Sequence, residues 1–419
     1  MFKFKSKKNS FISKISKIIF TNEEEKKNKN AISKKKFTSF ELIFISSILF
    51  VLGIIGGCLV TMYTDTVLGS KIDSKMLEFL KTYETIKSDY YDNVNENDLI
   101  GSAISGMLSS LDDEHSFYMD KDYTGSFNQS VDGSYVGIGI TILYKDKINT
   151  ITEIIKNSPA EKSGLMVGDI LTKVNDVDVT NSDSNEIATL ISGEVGKEFV
   201  ITVQRNNEMK SFNLSLEEIE IESVYSEIKE SESKKIGYIN ISNFASNTYT
   251  QFNNNLTSLE KKNINSLIID VRGNTGGQLS VVSNILDLFF EKNTVLYQIK
   301  DKKSVYKYKA KTKDKRDYPV VILTNHGSAS ASEVLASCFK ENYSDATILG
   351  TKTYGKGTIQ KLMTLSDGSS YKFTTQKWLT SKGEWLNENG LEPDVVVEIG
   401  DDVNIDNQLD EAIKLLLKK

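Results

Sequence analysis

The chain has 419 residues, of which 39% are hydrophobic, so it is long enough for two or three domains with buried cores. Its net charge of −6 is unevenly distributed, because residues 1–36 hold twelve lysines and three glutamates and the remainder therefore carries −15. The acidic body argues against binding of nucleic acid. Two distant cysteines and two histidines without a Cys/His cluster predict neither a disulfide framework nor a metal site, and no cofactor is implied.

Residues 1–36 are predicted to form a cytoplasmic, mostly unstructured tail. Apolar residues between positions 11 and 19 recur at helical spacing among lysines. That pattern fits a basic amphipathic helix on anionic lipid, and it fits a solvated basic tail equally well.

Residues 37–63 are predicted to form a transmembrane helix. Positions 42–63 are apolar or small throughout, and roughly 20 such residues cross a bilayer. Lysines precede the run and an aspartate follows it, which predicts a single-pass protein of the cell membrane with a cytoplasmic N-terminus and an extracellular body. The alternative is a cleaved signal peptide, since Gly56, Gly57 and Cys58 resemble a lipobox.

Residues 64–126 are predicted to form a helical N-terminal region. Apolar residues at helical spacing predict helices over 72–91 and 96–111. The acidic turn that follows contains His115, which we interpret as a turn residue rather than a ligand.

Residues 127–215 carry two glycine-containing blocks. The first is Gly137, Ile138, Gly139 and Ile140, and the second runs from 158 to 171 with Ser-Pro-Ala and Gly-Asp pairs. Together they resemble a PDZ domain, and 199–204 alternates as one of its strands. The resemblance implies that the backbone N–H groups of the first block bind the terminal carboxylate of protein substrates with free C-termini.

Residues 216–400 alternate between predicted strands and helices, which indicates an α/β domain. A closing helix is predicted within residues 401–419, at 409–418. The predicted strands are 235–241, 266–271, 320–323 and 347–349, and the predicted helices are 248–261, 280–290 and 333–343.

A run of small residues at 327–332 lies between one of these strands and the next helix. A serine there, such as Ser330, would stand beside the positive end of the helix, where a nucleophile and an oxyanion hole can be built together. His326 is too close in sequence to reach back to it, and His115 is far upstream. The remaining base is Lys356 between two glycines, although a solvated lysine also fits this position.

The run Gly-Ser-Ala-Ser-Ala-Ser-Glu at 327–333, with Tyr-Gly-Lys-Gly-Thr-Ile-Gln at 354–360, resembles the signature of the carboxyl-terminal processing proteases, the Tsp-like serine endopeptidases. The resemblance implies that Ser330 is the nucleophile, that Lys356 is the general base and that Gln360 orients the lysine. It also implies a crotonase-like mixed sheet with helices for the protease core.

The block Asp-Val-Arg-Gly-Asn-Thr-Gly-Gly at 270–277 resembles another element of the same family, with Thr275 where proline is usual. The resemblance implies an oxyanion hole built from the N–H of Gly276 or Gly277 and that of Ala331. We expect Asp270 to hold this turn rather than to take part in chemistry.

The sequence thus predicts a membrane-anchored serine endopeptidase that recognises substrate C-termini through its PDZ domain. The alternative is a non-catalytic PDZ scaffold at the membrane, which the three intact catalytic positions disfavour. The physiological substrate and the oligomeric state, including a homodimer, stay open.

Overall fold

The computed structural model describes residues 43–57, 73–231, 234–312, 316–400, 402 and 404–419. The chain divides into two units, Met1–Val94 and Asn95–Lys419. The predicted tail and Cys58 of the lipobox-like run lie outside the described residues.

The first unit contains two described helices, α1 at 43–57 and α2 at Ser74–Asp89. Only the α1 portion of the predicted span 37–63 is described, and its side chains are exposed. Within the described stretches, no helix combines the length and the hydropathy that crossing a membrane requires. Helix α2 confirms the helix predicted over 72–91 and ends where Tyr90 turns to extended dihedral angles.

The second unit begins with α3 at Glu96–Ser109, β1 at Phe117–Met119 and α4 at Lys121–Asp132. Helix α3 starts at Asn95, whose side chain accepts a 3.0 Å hydrogen bond from Asn97 N. The acidic turn after α3 is closed by Asp113, which accepts from the His115 N–H at 3.1 Å. His115 is therefore a turn residue, as predicted.

A β-rich subdomain follows, in agreement with the PDZ-like sequence blocks. Its sheet has the order β3-β4-β5-β7-β8 with β6 on β5, and β2 pairs separately with β9. Ile138, Ile151 and Leu171 are among the buried residues of its core. Its elements are β2 Ser134–Gly137, β3 Ile140–Lys145, β4 Ile148–Ile154, α5 Pro159–Ser163, β5 Ile170–Val174, β6 Val177–Asp178, α6 Ser184–Leu190, β7 Glu198–Arg205, β8 Glu208–Ser215 and β9 Glu217–Glu220.

The α/β part is built on a six-stranded sheet of order β10-β11-β12-β15-β16-β19. Strand β10 is antiparallel to β11 and the other neighbours are parallel, so the sheet is mixed, as predicted. Strands β12 and β15 are buried at every position because core clusters cover both faces of the sheet. These strands are β10 Val224–Ser231, β11 Lys234–Ile241, β12 Ser266–Asp270, β15 Val320–Thr324, β16 Ala346–Gly350 and β19 Val395–Val396.

A second sheet has the order β1-β18-β13-β14, with β17 on the other edge of β18. In this sheet β18 pairs with both β1, which follows the acidic turn, and β17, which follows Lys356. Its further strands are β13 Val295–Lys300, β14 Val305–Lys309, β17 Thr358–Thr364 and β18 Ser370–Leu379.

Four helices pack on the two sheets, and three agree closely with the predicted segments. The fourth, predicted to reach residue 290, ends at Leu286. After Asp287 the N–H groups of Leu288 and Phe289 donate to carbonyls three residues earlier, so the helix gives way to a turn. The two phenylalanines that continue the apolar pattern pack on Phe339 from this turn. The helices are α7 Thr248–Lys261, α8 Leu279–Leu286, α9 Ala331–Asn342 and α10 Asn407–Lys418.

Candidate active site

The turn from β15 to α9 is interlocked with the glycine-rich turn after β12. Ser328 Oγ donates to Val271 O at 2.8 Å, and Ser332 Oγ donates to Asn274 O at 2.8 Å. A Cβ on Gly327 would lie 2.8 Å from the Cα of Gly273, so only small residues allow the two backbones to approach this closely. The small-residue run is therefore the packing surface between two turns.

Ser330 lies at this junction as the residue that precedes α9. Its dihedral angles, φ 54° and ψ −113°, are costly for a residue with a Cβ. Its N–H donates to Glu333 Oε2 at 2.8 Å, and its side chain faces the Glu333 N–H in a capping-box arrangement. A strained backbone therefore positions the Ser330 hydroxyl at the start of α9.

Gly276 lies directly against Ser330. A Cβ on Gly276 would be 2.9 Å from Ser330 Cβ and 3.2 Å from Ala331 N, and its φ of 112° also favours glycine. The Gly276 N–H is occupied by Asn274 Oδ1 at 2.8 Å. The N–H groups of Gly277 and Ala331 have no partner among the residues that the structure describes. Two backbone donors therefore remain near the serine.

Lys356 is fixed through its main chain. Its N–H donates to Glu333 Oε2 at 2.8 Å, and its carbonyl accepts from Trp378 Nε1 at 2.6 Å. Burial lowers the pKa of the Lys356 amine, against the opposing charges of Asp113, Glu114 and Glu333. The main chain of Lys356 is therefore held from both sides, and its amine lies where burial lowers its pKa.

Glu333 connects the serine to the lysine, and the sequence analysis assigned it no role. This fully buried carboxylate accepts four hydrogen bonds. Its Oε2 receives the Ser330 and Lys356 N–H groups, and its Oε1 receives Thr353 Oγ1 at 2.6 Å and Gly355 N at 2.7 Å. The sequence did contain a signal for this role, a glutamate in the first turn of a helix that is otherwise apolar enough to be buried. A buried carboxylate requires hydrogen-bond partners.

The structure brings the predicted residues into one cleft of about 740 Å³. Ser330, Lys356, Gln360, Gly276 and Gly277 all line it, and Ala331 is buried directly behind the serine. The amide nitrogen of Gln360 donates to the hydroxyls of two threonines, at 3.0 Å each. No described hydrogen bond joins Gln360 to Lys356.

Asp270 holds the glycine-rich turn, as expected from the sequence. Its carboxylate accepts from the Arg272 N–H at 2.9 Å and forms a 2.6 Å ion pair with the Arg272 side chain, which also binds Asp406 before α10. Tyr238 donates to the same aspartate at 2.8 Å. The turn that carries Gly276 and Gly277 is thereby tied to the C-terminal helix.

The predicted carboxylate-binding residues form a connection between β2 and β3. Gly137 pairs with Glu217, Ile140 pairs with Ile154, and the Ile138 side chain enters the core. The carbonyls of Ile138 and Gly139 accept backbone hydrogen bonds of 3.0 and 2.9 Å. Their N–H groups have no partner in the described part of the chain, so both remain available to a ligand.

Comparison with known proteins connects this site to a family. Peptidase family S41 matches residues 235–397, a PDZ domain matches 150–205, and the activating protease CtpB N-terminal domain matches 62–123. The carboxy-terminal processing proteases CtpB and CtpA of Bacillus subtilis (strain 168) are each 38% identical over 332 residues. That alignment covers 78% of this chain and 69% and 70% of theirs.

More distant similarities are also found. A probable CtpA-like serine protease of Staphylococcus aureus (strain MRSA252) is 34% identical over 319 residues, which is 75% of this chain and 63% of that protein. Among solved structures, a photosystem II D1 C-terminal processing protease aligns with a TM-score of 0.46 and 24% identity, over 80% of this chain and 96% of that one. The chain is a serine-type peptidase with a PDZ domain, and it belongs to the carboxyl-terminal processing proteases of peptidase family S41.

Proposed function

We propose that the protein is an endopeptidase in which Ser330 and Lys356 form the catalytic pair. The observation that carries this proposal is one carboxylate, Glu333, that binds the main chain of both residues at 2.8 Å. Ser330 and Lys356 line the same cleft, and the pKa of the Lys356 amine is lowered there. A serine protease needs such a nucleophile and base.

In the proposed reaction, neutral Lys356 takes the proton of the Ser330 hydroxyl while Ser330 Oγ attacks the scissile carbonyl carbon. The protonated lysine then gives this proton to the leaving amine, and an acyl-enzyme remains on Ser330. Water, deprotonated by the same lysine, attacks the acyl carbon. The bond to Ser330 Oγ then breaks, Oγ takes the proton back from Lys356, and the new C-terminus is released. Protons and electron pairs balance over the cycle, and no cofactor is required.

The developing oxyanion would be stabilised by the N–H groups of Gly277 and Ala331. Gly276 is the less suitable donor, because its N–H is already bonded to Asn274. Gln360 would orient the lysine through its amide oxygen, since its amide nitrogen is held by Thr358 and Thr374. In this assignment Gln360 acts through Lys356 and does not touch the substrate.

The test of the catalytic pair is the cleavage rate of a peptide substrate. Ser330→Ala and Lys356→Ala should each lower kcat by a factor of about 10⁴ or more, and the double variant should be no worse, because the two residues act as a unit. Lys361→Ala, an exposed lysine of the neighbouring strand, is the matched control and should keep normal turnover. Near-normal turnover in Lys356→Ala would require another base. Gln360→Ala should lose less than either.

We further infer that the PDZ domain selects protein substrates with free C-termini. The free N–H groups of Ile138 and Gly139 are donors of the kind that a carboxylate requires. A peptide with a free apolar C-terminus should therefore be cleaved faster than its amidated form. Equal rates for the two peptides would refute this recognition without touching the catalytic pair.

Membrane anchoring is also part of the proposal, and it rests on the apolar run at 42–63 with lysines on one side. The protein would be a single-pass protein of the cell membrane with its catalytic domain outside. Protease added to intact protoplasts should destroy the body and spare an N-terminal epitope. Destruction of the epitope with protection of the body would show the opposite orientation. A lipidated Cys58 at the mature N-terminus would favour the signal-peptide alternative.

A further inference from the structure

The amide of Gln360 is held at its nitrogen end. Its Nε2 donates to Thr358 Oγ1 and to Thr374 Oγ1, at 3.0 Å each. Because an amide nitrogen carries two protons, these two bonds use both of its donors. The amide oxygen has no partner among the residues that the structure describes, and Gln360 lines the same cleft as Lys356.

Thr374 lies at an irregularity of the second sheet. Ile359 of β17 is opposite Gln376 of β18. The next residue of β17, Gln360, is opposite Thr374, so β18 carries one extra residue at this point. Such a bulge re-aims side chains, and here the Thr374 hydroxyl lies across the strands from the Gln360 amide. A bulge also disrupts the ladder locally, so the pairing with β17 alone does not fix Thr374.

Further support for Thr374 comes from the acidic turn before β1. The pairing of β1 with β18 ends at Phe117 opposite Lys372, two residues short of Thr374. Beyond this last pair, the Thr374 N–H donates to Ser116 Oγ at 3.0 Å. The buried Ser116 thus extends the contact between the turn and β18 as far as the residue that binds Gln360.

Ser116 is itself fixed through both its main chain and its side chain. The Ser116 N–H donates to the Asp113 carbonyl oxygen at 3.0 Å, and Ser116 Oγ donates to Asp113 Oδ2. A hydroxyl has a single proton, so a serine that gives this proton to a carboxylate can only accept from the Thr374 N–H. The hydrogen bonds therefore run from the acidic turn, through Thr374, to the Gln360 amide.

The Asp113 carboxylate also bears on the direction of the Thr374 hydroxyl. Burial would raise the pKa of the Asp113 carboxyl, and hydrogen bonds that include those from Ser116 and Thr374 hold it below its usual value. A Thr374 hydroxyl whose proton is directed at Asp113 presents a lone pair to Gln360. The nitrogen of that amide then faces the threonine, and the oxygen points away from it.

We propose that Ser116 and Thr374 are positioning residues that set the orientation of the Gln360 amide. Because they hold its nitrogen, its oxygen is left to accept from the Lys356 amine and to direct that amine at the Ser330 hydroxyl. This inference rests on the proposed role of Gln360 in orienting Lys356. Neither Ser116 nor Thr374 lines the cleft, and neither is assigned a contact with substrate.

The test is cleavage of a peptide by the full-length protein, with kcat and KM measured separately. Thr374→Val keeps the shape of the side chain and removes the hydroxyl, so the amide can turn and Lys356 loses its fixed direction. We expect kcat to fall about tenfold with KM within about twofold of the wild type, because a misplaced base slows the chemical step and not binding. Thr374→Ser keeps the hydroxyl and should keep most of kcat. Ser116→Ala should lower kcat severalfold in the same way.

Thr364→Val is the matched control, since Thr364 is an exposed threonine at the end of β17 that does not line the cleft. It should leave kcat and KM unchanged. A loss of kcat in Thr374→Ser as large as that in Thr374→Val would overturn the inference, because the hydroxyl would then be irrelevant. A rise in KM without a fall in kcat would also overturn it, in favour of a role in substrate binding.

A double-mutant cycle separates this inference from the proposed catalytic pair. If Thr374 acts through Gln360, Thr374→Val should cause no further loss of kcat in a Gln360→Ala background. A full additional loss there, or normal kcat in Thr374→Val beside a slow Gln360→Ala, would reject the inference alone. Normal kcat in Gln360→Ala, with Lys356→Ala inactive, would reject the role of Gln360 and this inference with it. An active Lys356→Ala would reject the catalytic pair itself.

Discussion

In the part of the chain that the structure describes, two serines directly precede helices, and each is followed three residues later by a glutamate. Ser158 precedes α5 with φ −74° and ψ 163°, and its Oγ accepts the Glu161 N–H at 3.3 Å. Ser330 precedes α9 with φ 54° and ψ −113° and forms a capping box with Glu333, whose N–H donates to the Ser330 carbonyl oxygen at 2.9 Å. The same Ser-x-x-Glu pattern therefore occurs with an ordinary extended serine in the PDZ domain and with a strained serine in the protease core.

A glycine packs closely against each of these two serines. A Cβ on Gly139 would meet Ser158 Cβ at 2.3 Å, and one on Gly276 would meet Ser330 Cβ at 2.9 Å. Both glycines have positive φ and both bring backbone close to a serine. A glycine in the local sequence thus allows its backbone to approach the serine closely. The dihedral angles of the two serines differ, and with them the position of each hydroxyl relative to the helix that follows.

Among the substitutions that test this comparison of the two serines, the largest effect should come from closing the space beside Ser330. Gly276→Ala places a methyl group 2.9 Å from Ser330 Cβ and 3.0 Å from Ala329 O, so the serine and the oxyanion donors must shift. We expect kcat/KM to fall by roughly 10²–10³, the scale of a lost oxyanion contact. Gly273→Ala in the same turn, with φ 71° and nothing within 4 Å, is the control for backbone strain alone. A similar loss in both variants would argue against a specific role for the Gly276 contact.

The two glutamates provide the next test. Glu333→Gln removes a buried carboxylate that accepts four hydrogen bonds, and an amide nitrogen cannot accept from the N–H groups that it would face. We expect about 2–3 kcal/mol lower stability, measured by denaturant unfolding in a Ser330→Ala background, together with a large loss of kcat. Glu161→Gln, at the exposed counterpart, should change stability by less than about 1 kcal/mol and leave kcat unchanged. Equal effects at both positions would contradict the claim that Glu333 connects Ser330 to Lys356.

A smaller and different effect is expected in the PDZ domain. Gly139→Ala forces a methyl group into Ser158, so the preference for a free-acid peptide over its amide should fall severalfold while kcat for a short amidated peptide is kept. Gly168→Ala, also at positive φ but with no atom within 4 Å, controls for strain. Retention of the full preference in Gly139→Ala would place carboxylate recognition elsewhere.

The smallest effect should follow from removing the cap. Ser158→Ala loses one hydrogen bond at the start of a short helix, which typically costs about 1 kcal/mol of stability. We expect kcat to stay at the wild-type value, in contrast to Ser330→Ala. Thermal unfolding and peptide cleavage measured on the same preparation check both parts. A catalytic defect in Ser158→Ala with normal stability would contradict the assignment of Ser158 as a helix cap without a catalytic role.

The local elements of this fold were predictable because their signals are local. The buried strands read as apolar runs, α7 follows helical spacing from Thr248 to Lys261, and the small residues around Ser330 marked a tight turn. Helix α8 was predicted too long because its apolar pattern continues through Phe289 and Phe290, whereas the N–H groups of Leu288 and Phe289 form turn bonds to carbonyls three residues earlier.

The connections between distant segments were not predictable. Glu333 was part of a recognised motif, yet its bonds to Thr353, Gly355 and Lys356 depend on a loop that folds back over α9. Lys372 resembles any lysine on a half-buried strand, and only the pairing of β18 with β1 and β17 brings it into the cleft. Propensity and periodicity carry no information about such tertiary contacts.

The central claim is that Ser330 is a nucleophile because Lys356 deprotonates it. The most direct measurement is the rate at which a serine-directed fluorophosphonate labels the protein, with the modified residue located by mass spectrometry. The account predicts labelling at Ser330, slowed by several orders of magnitude in Lys356→Ala and unchanged in Lys361→Ala. Labelling of another serine, or equal labelling of Ser330 without Lys356, would contradict it.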